Sequence, residues 1–451
     1  MSIYKKLKQK QLSGKPIKVC VIGCGRFGSM IIFQIQHILG MNVSVICDLD
    51  IKRAINVATE SGILESDLKI NTSVDNINDS IEKNKISIVE DASLAVSSNI
   101  DVVVEATGNP LAGAHNAVSA IKNQKHVVMV TVETDVLIGP VLSKLASENN
   151  VVYSLAYGDQ PALIEEMYDW AKTLGFEVIA AGKGTKHLDS FRFETPNNVH
   201  KRYGYSEEEF EKANLNPKMY NSFLDGTKSA IEMCAVSNMT GLVPDVPGMH
   251  FPSASISDLP NLLIPEDDGG LLKHRDGVVE VISCLNPDGT EIANSLRWGM
   301  FIVITIDNSY ILDCINEYGV IMNESKKYAA VYRPFHFVGM ETPITISKAM
   351  LYHEPTGVSV NRVADVAAVS KKDLVKGTLL DGEGGYTTYG SLYTSDTFDK
   401  KFLFPIGMVD NLKLIRDVPK NTPITLDDIE LPESNILYNL RKNIMNTIIV
   451  D

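Results

Sequence analysis

The sequence predicts an α/β fold with an N-terminal doubly wound parallel sheet, a central α+β domain and a small β-rich C-terminal domain. Residues 17–28, IKVCVIGCGRFG, lead from an apolar strand through a glycine-rich turn into a helix with apolar periodicity. Short apolar runs then alternate with helical segments as far as residue 155, which is typical of a parallel sheet. Beyond residue 355, short strands and turn glycines replace this alternation and indicate a separate β-rich part.

The glycine-rich turn has the pattern Gly23-x-Gly25-x-x-Gly28. Gly23 permits the tight turn, Gly25 lets the backbone approach a diphosphate, and Gly28 lets the helix pack close to the strand. The helix offers free backbone N–H groups and the positive end of its dipole to that diphosphate. The pattern therefore predicts a Rossmann-type dinucleotide site, in which Arg26 and Phe27 are also assigned to the cofactor.

The carboxylate of the second strand bears on the choice of cofactor. A helix is predicted over residues 26–39 with Gly40 as its stop, and the following strand ends at Asp48. Asp48 lies about 20 residues beyond the glycines, where the adenosine ribose hydroxyls are expected. An acid there repels a 2′-phosphate and favours NAD over NADP, while Lys52 and Arg53 keep NADP open. The alternative interpretation of Asp48 is a solvated acid at a strand end.

Two later strands are predicted to complete the cofactor site. Residues 100–110, IDVVVEATGNP, form a strand whose carboxyl end faces the nicotinamide half of the site. Residues 125–134, KHVVMVTVET, form the next strand, and the acid-rich residues 72–92 are predicted as a helix and surface loop. The cofactor residues assigned from the two strands are Ala106, Thr107, Gly108 and, at the outer end of the second strand, Glu133.

Composition excludes several classes of protein. No apolar run approaches the roughly 18 residues that span a bilayer, and the basic, polar N-terminus is unlike a secretory signal. A formal net charge of −14 without a long basic run argues against nucleic acid and membrane-surface partners. The six scattered cysteines lack zinc spacing and indicate free thiols in a reducing cytoplasm. Any anionic substrate must therefore be met by local lysines and arginines.

Two or three domains are expected in a chain of 451 residues. A helix ending at Gly175 and the strand FEVIAAGKG precede a polar insertion at residues 185–222, and a long helix is predicted within residues 223–245. Residues 280–306 and 328–351 carry strand-like patterns. The predicted domains are a dinucleotide-binding Rossmann domain at 1–158, a catalytic, substrate and dimerisation domain at 159–355, and the C-terminal domain at 356–451, with part of the core returning.

The order of several motifs resembles a known family. These are GxGxxG, EATG, YSLAYGDQP, AAGKG, DGTKSAIEM, NMTGLVPDVPGMH and YRPFHF. Together they resemble the homoserine-dehydrogenase-like NAD(P) oxidoreductases with a C-terminal SAF domain, and are most similar to the DRL family of 1-deoxy-D-xylulose 5-phosphate reductoisomerases in isoprenoid biosynthesis. The resemblance covers essentially the whole chain. It departs at Asp48, where the family has no acid, and at residues 185–222, where the insertion is longer.

The resemblance implies an NAD(P)-dependent oxidoreductase that acts on a small, phosphorylated hydroxy-ketone. It also implies a SAF-like C-terminal domain and a cytoplasmic homodimer. A homoserine-type or polyol- or sugar-phosphate dehydrogenase is the alternative substrate assignment. A non-catalytic dinucleotide sensor or a carbohydrate-binding protein is the alternative of another class, and neither would need lysines beside the nicotinamide.

Candidate catalytic lysines lie in two motifs. Hydride transfer to a carbonyl builds charge on its oxygen, so a dehydrogenase needs a cation or an acid there and a path for a proton. Lys183 ends the strand in AAGKG, and its alternative interpretation is a solvated turn lysine. Asp225, Lys228 and Glu232 have the spacing to share one helix face. Their alternative interpretation is an N-cap at Asp225 and a surface pair of Lys228 with Glu232.

Further candidates follow in the chain. Asn238 lies close to three helical turns after Lys228, so the same helix face can reach it. His250 ends a turn-rich segment and is a candidate acid, base or phosphate contact, with a loop or core histidine as the alternative. Arg333 and His336 are similar candidates. No ligand spacing demands a metal, so the participation of a divalent metal is left open.

Overall fold

The structure is a computed structural model that describes residues 2–213, 215–431 and 434–447. The α-helices, in chain order, are α1 (Ile3–Leu12), α2 (Arg26–Ile35), α3 (Ile51–Glu60), α4 (Val74–Glu82), α5 (Ala92–Ser97), α6 (Pro110–Lys122), α7 (Val132–Glu148), α8 (Gln160–Thr173), α9 (Val199–Tyr203), α10 (Glu207–Lys212), α11 (Pro217–Leu224), α12 (Thr227–Thr240), α13 (Leu259–Leu262), α14 (Ser309–Glu317), α15 (Thr342–Tyr352), α16 (Ser395–Lys400) and α17 (Ile436–Thr447). Within the described ranges, none of these helices combines the length and apolar character needed to cross a bilayer.

The β-strands, in chain order, are β1 (Ile17–Ile22), β2 (Met41–Cys47), β3 (Leu68–Ile70), β4 (Ile86–Val89), β5 (Val102–Glu105), β6 (His126–Met129), β7 (Tyr153–Leu155), β8 (Glu177–Thr185), β9 (Val243–Pro244), β10 (Val278–Ser283), β11 (Met300–Thr305), β12 (Ile321–Met322), β13 (Ala329–Arg333), β14 (Ala364–Ser370) and β15 (Thr388–Thr394).

These elements divide into two compact units. The first unit contains the described residues up to 163 together with residues 337–360 and 434–447, and the second contains the described residues of 164–336 and 361–431. The sequence predicts three domains, and that division stays a prediction. The second unit groups the β-rich part with the central part of the chain.

The first unit is built on a seven-stranded sheet in the order β3-β4-β2-β1-β5-β6-β7. All of its strand pairs are parallel. The inner strands are apolar and buried, as expected for a sheet covered on both faces. The strand order reverses beside β1, so the carboxyl ends of β1 and β5 flank the switch point at which such sheets bind ligands. The predicted doubly wound parallel sheet is confirmed.

Three local predictions in the first unit need correction. Helix α2 ends at Ile35, four residues before the predicted end, because the chain tightens into a turn in which Ile38 N–H donates to the Ile35 carbonyl. Residues 72–92 contain not only α4 but also β4, an inner strand of the sheet. Strand β6 ends at Met129, so Glu133 lies in the first turn of α7 and not at a strand end.

The second unit contains a mixed sheet in the order β12-β13-β11-β8-β10-β9. Strands β8, β10 and β9 are parallel, whereas β11 is antiparallel to both β8 and β13. Helix α12 packs against β8 and β10 and also against β14 and β15. Eleven of its fourteen residues are buried, because a helix covered on both sides has no solvent face.

The rest of the second unit explains the less regular part of the sequence. The polar insertion at residues 185–222 forms α9, α10 and α11 around an apolar cluster that includes Phe191, Val199 and Phe210. Residues 328–351 carry a strand-like pattern, and the structure has strand β13 at its start, while α15 follows within the first unit. The small antiparallel sheet of β14 and β15 confirms β structure in the C-terminal part.

Candidate cofactor site and active site

The glycine loop after β1 has two positions at which only glycine fits. Gly23 has φ +96°, and a Cβ there would lie 2.7 Å from the carbonyl oxygen of Ala106. A Cβ at Gly28 would lie 1.8 Å from the carbonyl oxygen of Gly23. The loop is therefore packed against the end of β5 on one side and against its own helix on the other. Both features agree with the roles predicted from the sequence.

Gly25 differs from its two neighbours because a Cβ there would meet no atom within 4 Å. It is the N-cap of α2, and no side chain caps this helix end. The N–H groups of Arg26, Phe27 and Gly28 precede the first intrahelical bond, which runs from Ser29 N–H to Gly25 O. An open cradle with backbone donors fits a dinucleotide diphosphate.

Asp48 joins the end of β2 to the glycine loop. Its Oδ2 accepts a hydrogen bond of 2.6 Å from Cys24 N–H, and its Oδ1 accepts one of 2.8 Å from Asp50 N–H. The Nε of Arg53 lies 3.8 Å from Oδ1. Asp48 is 9% exposed, which excludes the alternative interpretation of a solvated acid at a strand end. Its contact with a ribose stays a prediction.

Cys24, inside the same loop, is a packing residue. Burial and the neighbouring Asp48 carboxylate raise the pKa of its thiol to about 12. A thiol with such a pKa stays protonated and unreactive at neutral pH.

The end of β5 carries a buried acid that the sequence analysis did not assign to the site. Glu105 is fully buried, and burial raises the pKa of its carboxyl. Its Oε1 accepts hydrogen bonds from the Thr107 hydroxyl at 2.5 Å and from Thr107 N–H at 3.2 Å. Gly108 N–H donates to the hydroxyl of Thr131 at 3.0 Å. Glu105 and Thr131 thus fix the shape of the Ala106–Gly108 turn, and an acid ending the apolar run VVVE was the available signal.

Lys183 and Glu232 form a buried ion pair in the second unit. Lys183 lies on β8, level with Val281 of β10 and Met300 of β11, and Glu232 lies on α12. Lys183 is 6% exposed and Glu232 is 4% exposed. The structure thus joins two candidates from separate motifs. It excludes a solvated turn lysine at Lys183 and a surface pair of Glu232 with Lys228.

Asp225 has a different partner from the one expected. It is the C-cap residue that follows α11, and Gly226, with φ +87°, is the N-cap of α12. The Asp225 carboxylate accepts a hydrogen bond from Thr227 N–H and forms an ion pair of 2.7 Å with Lys371. Both side chains of this pair are buried. Lys228 follows in the first turn of α12 and is half-buried.

Lys371, which the sequence analysis missed, also donates to the carbonyl oxygens of Glu194 at 2.8 Å and Gly385 at 2.7 Å. Asn238 has a similar role at the other end of α12. Its Oδ1 accepts hydrogen bonds from Val363 N–H at 2.7 Å and Ala364 N–H at 3.1 Å. These contacts favour positioning roles for both residues, while substrate contact by Asn238 stays a prediction.

His250 is held by an acid that also lies in its own motif. The Nε2 of His250 lies 2.7 Å from Oδ2 of Asp245, and Nδ1 of His274 lies 3.0 Å from Oδ1. Burial raises the pKa of Asp245, but hydrogen bonds from His250 and His274 outweigh it and hold that pKa below its usual value. An aspartate at this distance fixes the orientation of the imidazole ring.

Glu280 supports the same loop from β10. Its carboxyl accepts hydrogen bonds from the N–H groups of His250, Phe251 and Val281. Burial raises its pKa to about 7. The signal was a lone acid in the apolar run VVEVIS.

The remaining candidates, Arg333 and His336, contact an aromatic ring and a backbone carbonyl. The Arg333 guanidinium lies 4.8 Å from the centre of the Phe335 ring, and Nδ1 of His336 lies 2.7 Å from the carbonyl oxygen of Trp298. Among the described residues, no group of three or more His, Cys, Asp or Glu side chains is arranged to hold a metal ion.

Residues 158–342 match the family model described as "Oxidoreductase DRL, catalytic domain". The chain is an NAD(P)-dependent oxidoreductase. Less than half of the chain lies in the match, which supports similarity to this catalytic domain and leaves the SAF-like and homoserine-dehydrogenase-like assignments as predictions. The candidates inside the matched range are Lys183, Asp225, Lys228, Glu232, Asn238, His250, Arg333 and His336.

Solved structures similar to this oxidoreductase include a probable dehydrogenase from Thermotoga maritima (13% identity, 76% of this chain, 91% of that chain, TM-score 0.36). Another is scyllo-inositol dehydrogenase from Lactobacillus casei with NAD(H) and scyllo-inositol (12% identity, 77% of this chain, 92% of that chain, TM-score 0.36). A third is 1-deoxy-D-xylulose 5-phosphate reductoisomerase from Zymomonas mobilis with NADPH (14% identity, 49% of this chain, 57% of that chain, TM-score 0.32). No curated protein matches the chain significantly. These similarities bear on neither substrate nor mechanism.

Proposed function

We propose that this oxidoreductase uses NAD(H) to interconvert a small, phosphorylated hydroxy-ketone and its alcohol. The first substrate to test is 1-deoxy-D-xylulose 5-phosphate, in a DRL-type reductoisomerase reaction. The observation that carries the proposal is the buried Lys183–Glu232 pair inside the segment that matches the DRL catalytic domain. A non-catalytic sensor has no need to bury such a pair, whose desolvation costs on the order of several kcal/mol per ion.

Lys183 is the proposed electrostatic catalyst. When bound, the dinucleotide supplies or accepts the hydride. The ammonium of Lys183 stabilises the negative charge that develops on the substrate oxygen and donates a proton to it. Glu232 orients the ammonium through the buried ion pair, so that neither charge is left without a partner inside the protein.

His250 is the proposed second proton carrier, because Asp245 fixes its ring and Glu280 fixes its backbone. Lys228, in the first turn of α12, is the proposed cation for the substrate's anionic group. We further propose a homodimer in the cytoplasm and a SAF-like C-terminal part, both of which rest on the family resemblance. A divalent metal is not required by this scheme.

The preference for NAD(H) is proposed from Asp48. A buried carboxylate that contacts the glycine loop repels a 2′-phosphate, while Arg53 beside it attracts one. Asp48→Ala is expected to shift the ratio of kcat/KM values for NADH and NADPH towards NADPH by about tenfold, or ~1.4 kcal/mol. Arg53→Ala should shift it the other way. A strong preference of the unmodified enzyme for NADPH would contradict the proposal.

The substrate is tested with hydroxy-ketone phosphates, polyol phosphates and homoserine, each with NADH and NADPH, followed at the nicotinamide absorbance. Turnover of 1-deoxy-D-xylulose 5-phosphate supports the reductoisomerase. Turnover of homoserine or a polyol phosphate alone supports the alternative dehydrogenase. Saturable NADH binding without turnover of any of them would favour a dinucleotide sensor, and sugar binding without NADH binding would favour a carbohydrate-binding protein.

A further inference from the structure

The basic N-terminal segment and the amino edge of the parallel sheet form a cleft that the oxidoreductase reaction does not use. The cleft has a volume of about 480 Å³. Four lysines line it, Lys10, Lys15, Lys18 and Lys85, together with a single acid, Asp101. This concentration of positive charge is unusual in a chain with a formal net charge of −14.

The local fold brings the lysines together from separate segments. Lys10 lies in the last turn of α1, where its carbonyl oxygen accepts a hydrogen bond from Lys15 N–H. Lys18 is the second residue of β1, and Lys85 directly precedes β4. The end of α1, the loop after it and the amino ends of β1 and β4, which flank β2 in the sheet, therefore supply the four ammonium groups.

Most of this charge is not neutralised within the protein. Lys85 pairs with Asp67 at 2.6 Å. The Lys18 ammonium donates a hydrogen bond of 3.4 Å to the carbonyl oxygen of Asn99 and forms no ion pair with any described residue. Among the residues that the structure describes, Lys10 and Lys15 form no ion pair. Asp101 accepts a hydrogen bond of 2.8 Å from Lys18 N–H through Oδ2, so its charge is partly satisfied by backbone.

The cleft is distinct from the dinucleotide site, because the two lie at opposite edges of the sheet. The glycine loop follows the carboxyl end of β1, whereas the cleft lies at the amino ends of β1, β2 and β4. These two edges are separated by the length of β1, which is on the order of 15 Å. A bound dinucleotide diphosphate at the loop does not reach these lysines.

We propose that the cleft binds a small anion that carries two or more negative charges on phosphate or carboxylate groups. Lys85 is paired with Asp67, and the three remaining lysines share the cleft with Asp101, so a formal charge of +2 is left for the ligand to balance. Flexible lysine stems accommodate ligands of different shape, and lysines bind phosphate as point charges. The volume admits a small metabolite of this class.

The test is calorimetric titration of the full chain with inorganic pyrophosphate and, separately, with citrate. Saturable binding of pyrophosphate but not citrate shows that the cleft recognises phosphate groups. Saturable binding of citrate but not pyrophosphate shows that it recognises carboxylate groups. Lys10→Gln combined with Lys15→Gln is expected to weaken binding about tenfold. The matched control combines Lys5→Gln with Lys8→Gln on the exposed side of α1, and should leave affinity within about twofold.

Two further measurements separate the cleft from the cofactor site. Pyrophosphate should still bind to Gly25→Val, whose cofactor cradle is filled, and NADH should bind unchanged to the Lys10/Lys15 double variant. The proposal is overturned if neither probe binds saturably, if both double variants weaken binding equally, or if Gly25→Val abolishes pyrophosphate binding.

Discussion

The glycine loop of the first unit and the α12 region of the second unit are built in opposite ways. The loop is made by backbone within one short segment, and its glycines create space for a ligand. The α12 region is made by charged side chains that meet across long stretches of chain, as in Lys183–Glu232 and Asp225–Lys371. Binding a common cofactor needs only a fixed backbone shape, whereas chemistry on a substrate needs charges held out of water.

The two buried pairs of the α12 region are expected to differ in what they support. Lys371→Met should lower the free energy of unfolding by about 3–5 kcal/mol, because it leaves Asp225 buried and unpaired. Burial already raises the pKa of Asp225, against the opposing effect of Lys371. Urea unfolding measures the loss.

The double variant Asp225→Asn with Lys371→Met is the control, since it removes both charges. It should recover a large part of the lost stability. Equal stability of the Lys371→Met variant and the unmodified protein would show that this pair does not hold the region together.

Lys183→Met is expected to lower kcat by about 10²–10³, because the group that stabilises the developing oxyanion is lost. NADH affinity should stay unchanged, since Lys183 lies outside the glycine loop. Steady-state kinetics on the substrate identified by the screen gives the effect, and NADH titration gives the control.

Stability must be separated from catalysis in this experiment. The double variant Lys183→Met with Glu232→Gln leaves no unpaired charge. Its free energy of unfolding should be close to that of the unmodified protein, while the variant should remain inactive. Activity within about twofold of the unmodified enzyme in either variant would return Lys183 to a structural role.

Glu280 predicts a pH dependence of stability in the second unit. Its folded pKa of about 7 lies above the ordinary value of 4.5, so the folded state holds its proton more tightly than the unfolded state. Stability is therefore highest below pH 4.5 for this group and falls as the pH rises to 7, by about 3 kcal/mol. Urea unfolding at pH 5 and pH 8 should reveal the fall.

Glu280→Gln should remove most of that fall. Asp135, whose pKa burial raises to about 6, contributes a smaller fall of the same sign in the first unit, and Asp135→Asn isolates it. A pH dependence that is identical in the Glu280→Gln variant would contradict the assignment.

Two glycine substitutions probe the loop itself. Gly25→Val should weaken NADH binding by about 100-fold or more, or ~2.7 kcal/mol, with little change in thermal stability, because the side chain enters open space. Gly28→Val should instead destabilise the protein, since its Cβ overlaps the Gly23 carbonyl. Calorimetric titration and thermal unfolding separate the two effects. A Gly25→Val protein that binds NADH normally would remove the cofactor from this loop.

The same contrast explains which features the sequence predicts. The roles of Gly23, Gly25 and Gly28 follow from local backbone geometry, so the pattern alone locates them. Lys183 and Glu232 could each be chosen by residue type, but their pairing depends on how α12 packs on β8. Lys371 gave no signal because its partner Asp225 lies far away in the chain, and a lysine in a turn-rich segment resembles a solvated one.

Acidic residues inside apolar runs were a sequence signal for buried site residues that the predictions did not use. Glu105 and Glu280 each occur in a valine-rich strand, where an ionised side chain is costly unless the fold supplies donors. Asp245 was equally available, five residues before His250 in the same motif. The boundaries of α2 and β6 were missed because hydrophobic periodicity continues through the turns that end them.

Helix α12 also determines when the second unit can fold during synthesis. Thr227 accepts a hydrogen bond from Gly390 N–H, and Cys234 donates one to the Ala364 carbonyl. Asn238 accepts a hydrogen bond from Val363 N–H, directly before β14. These partners leave the ribosome long after α12, by on the order of ten seconds at ordinary rates of synthesis. Until then the face of α12 that packs on β14 and β15 has no cover, so the second unit completes its fold only after residue 394 has been synthesised.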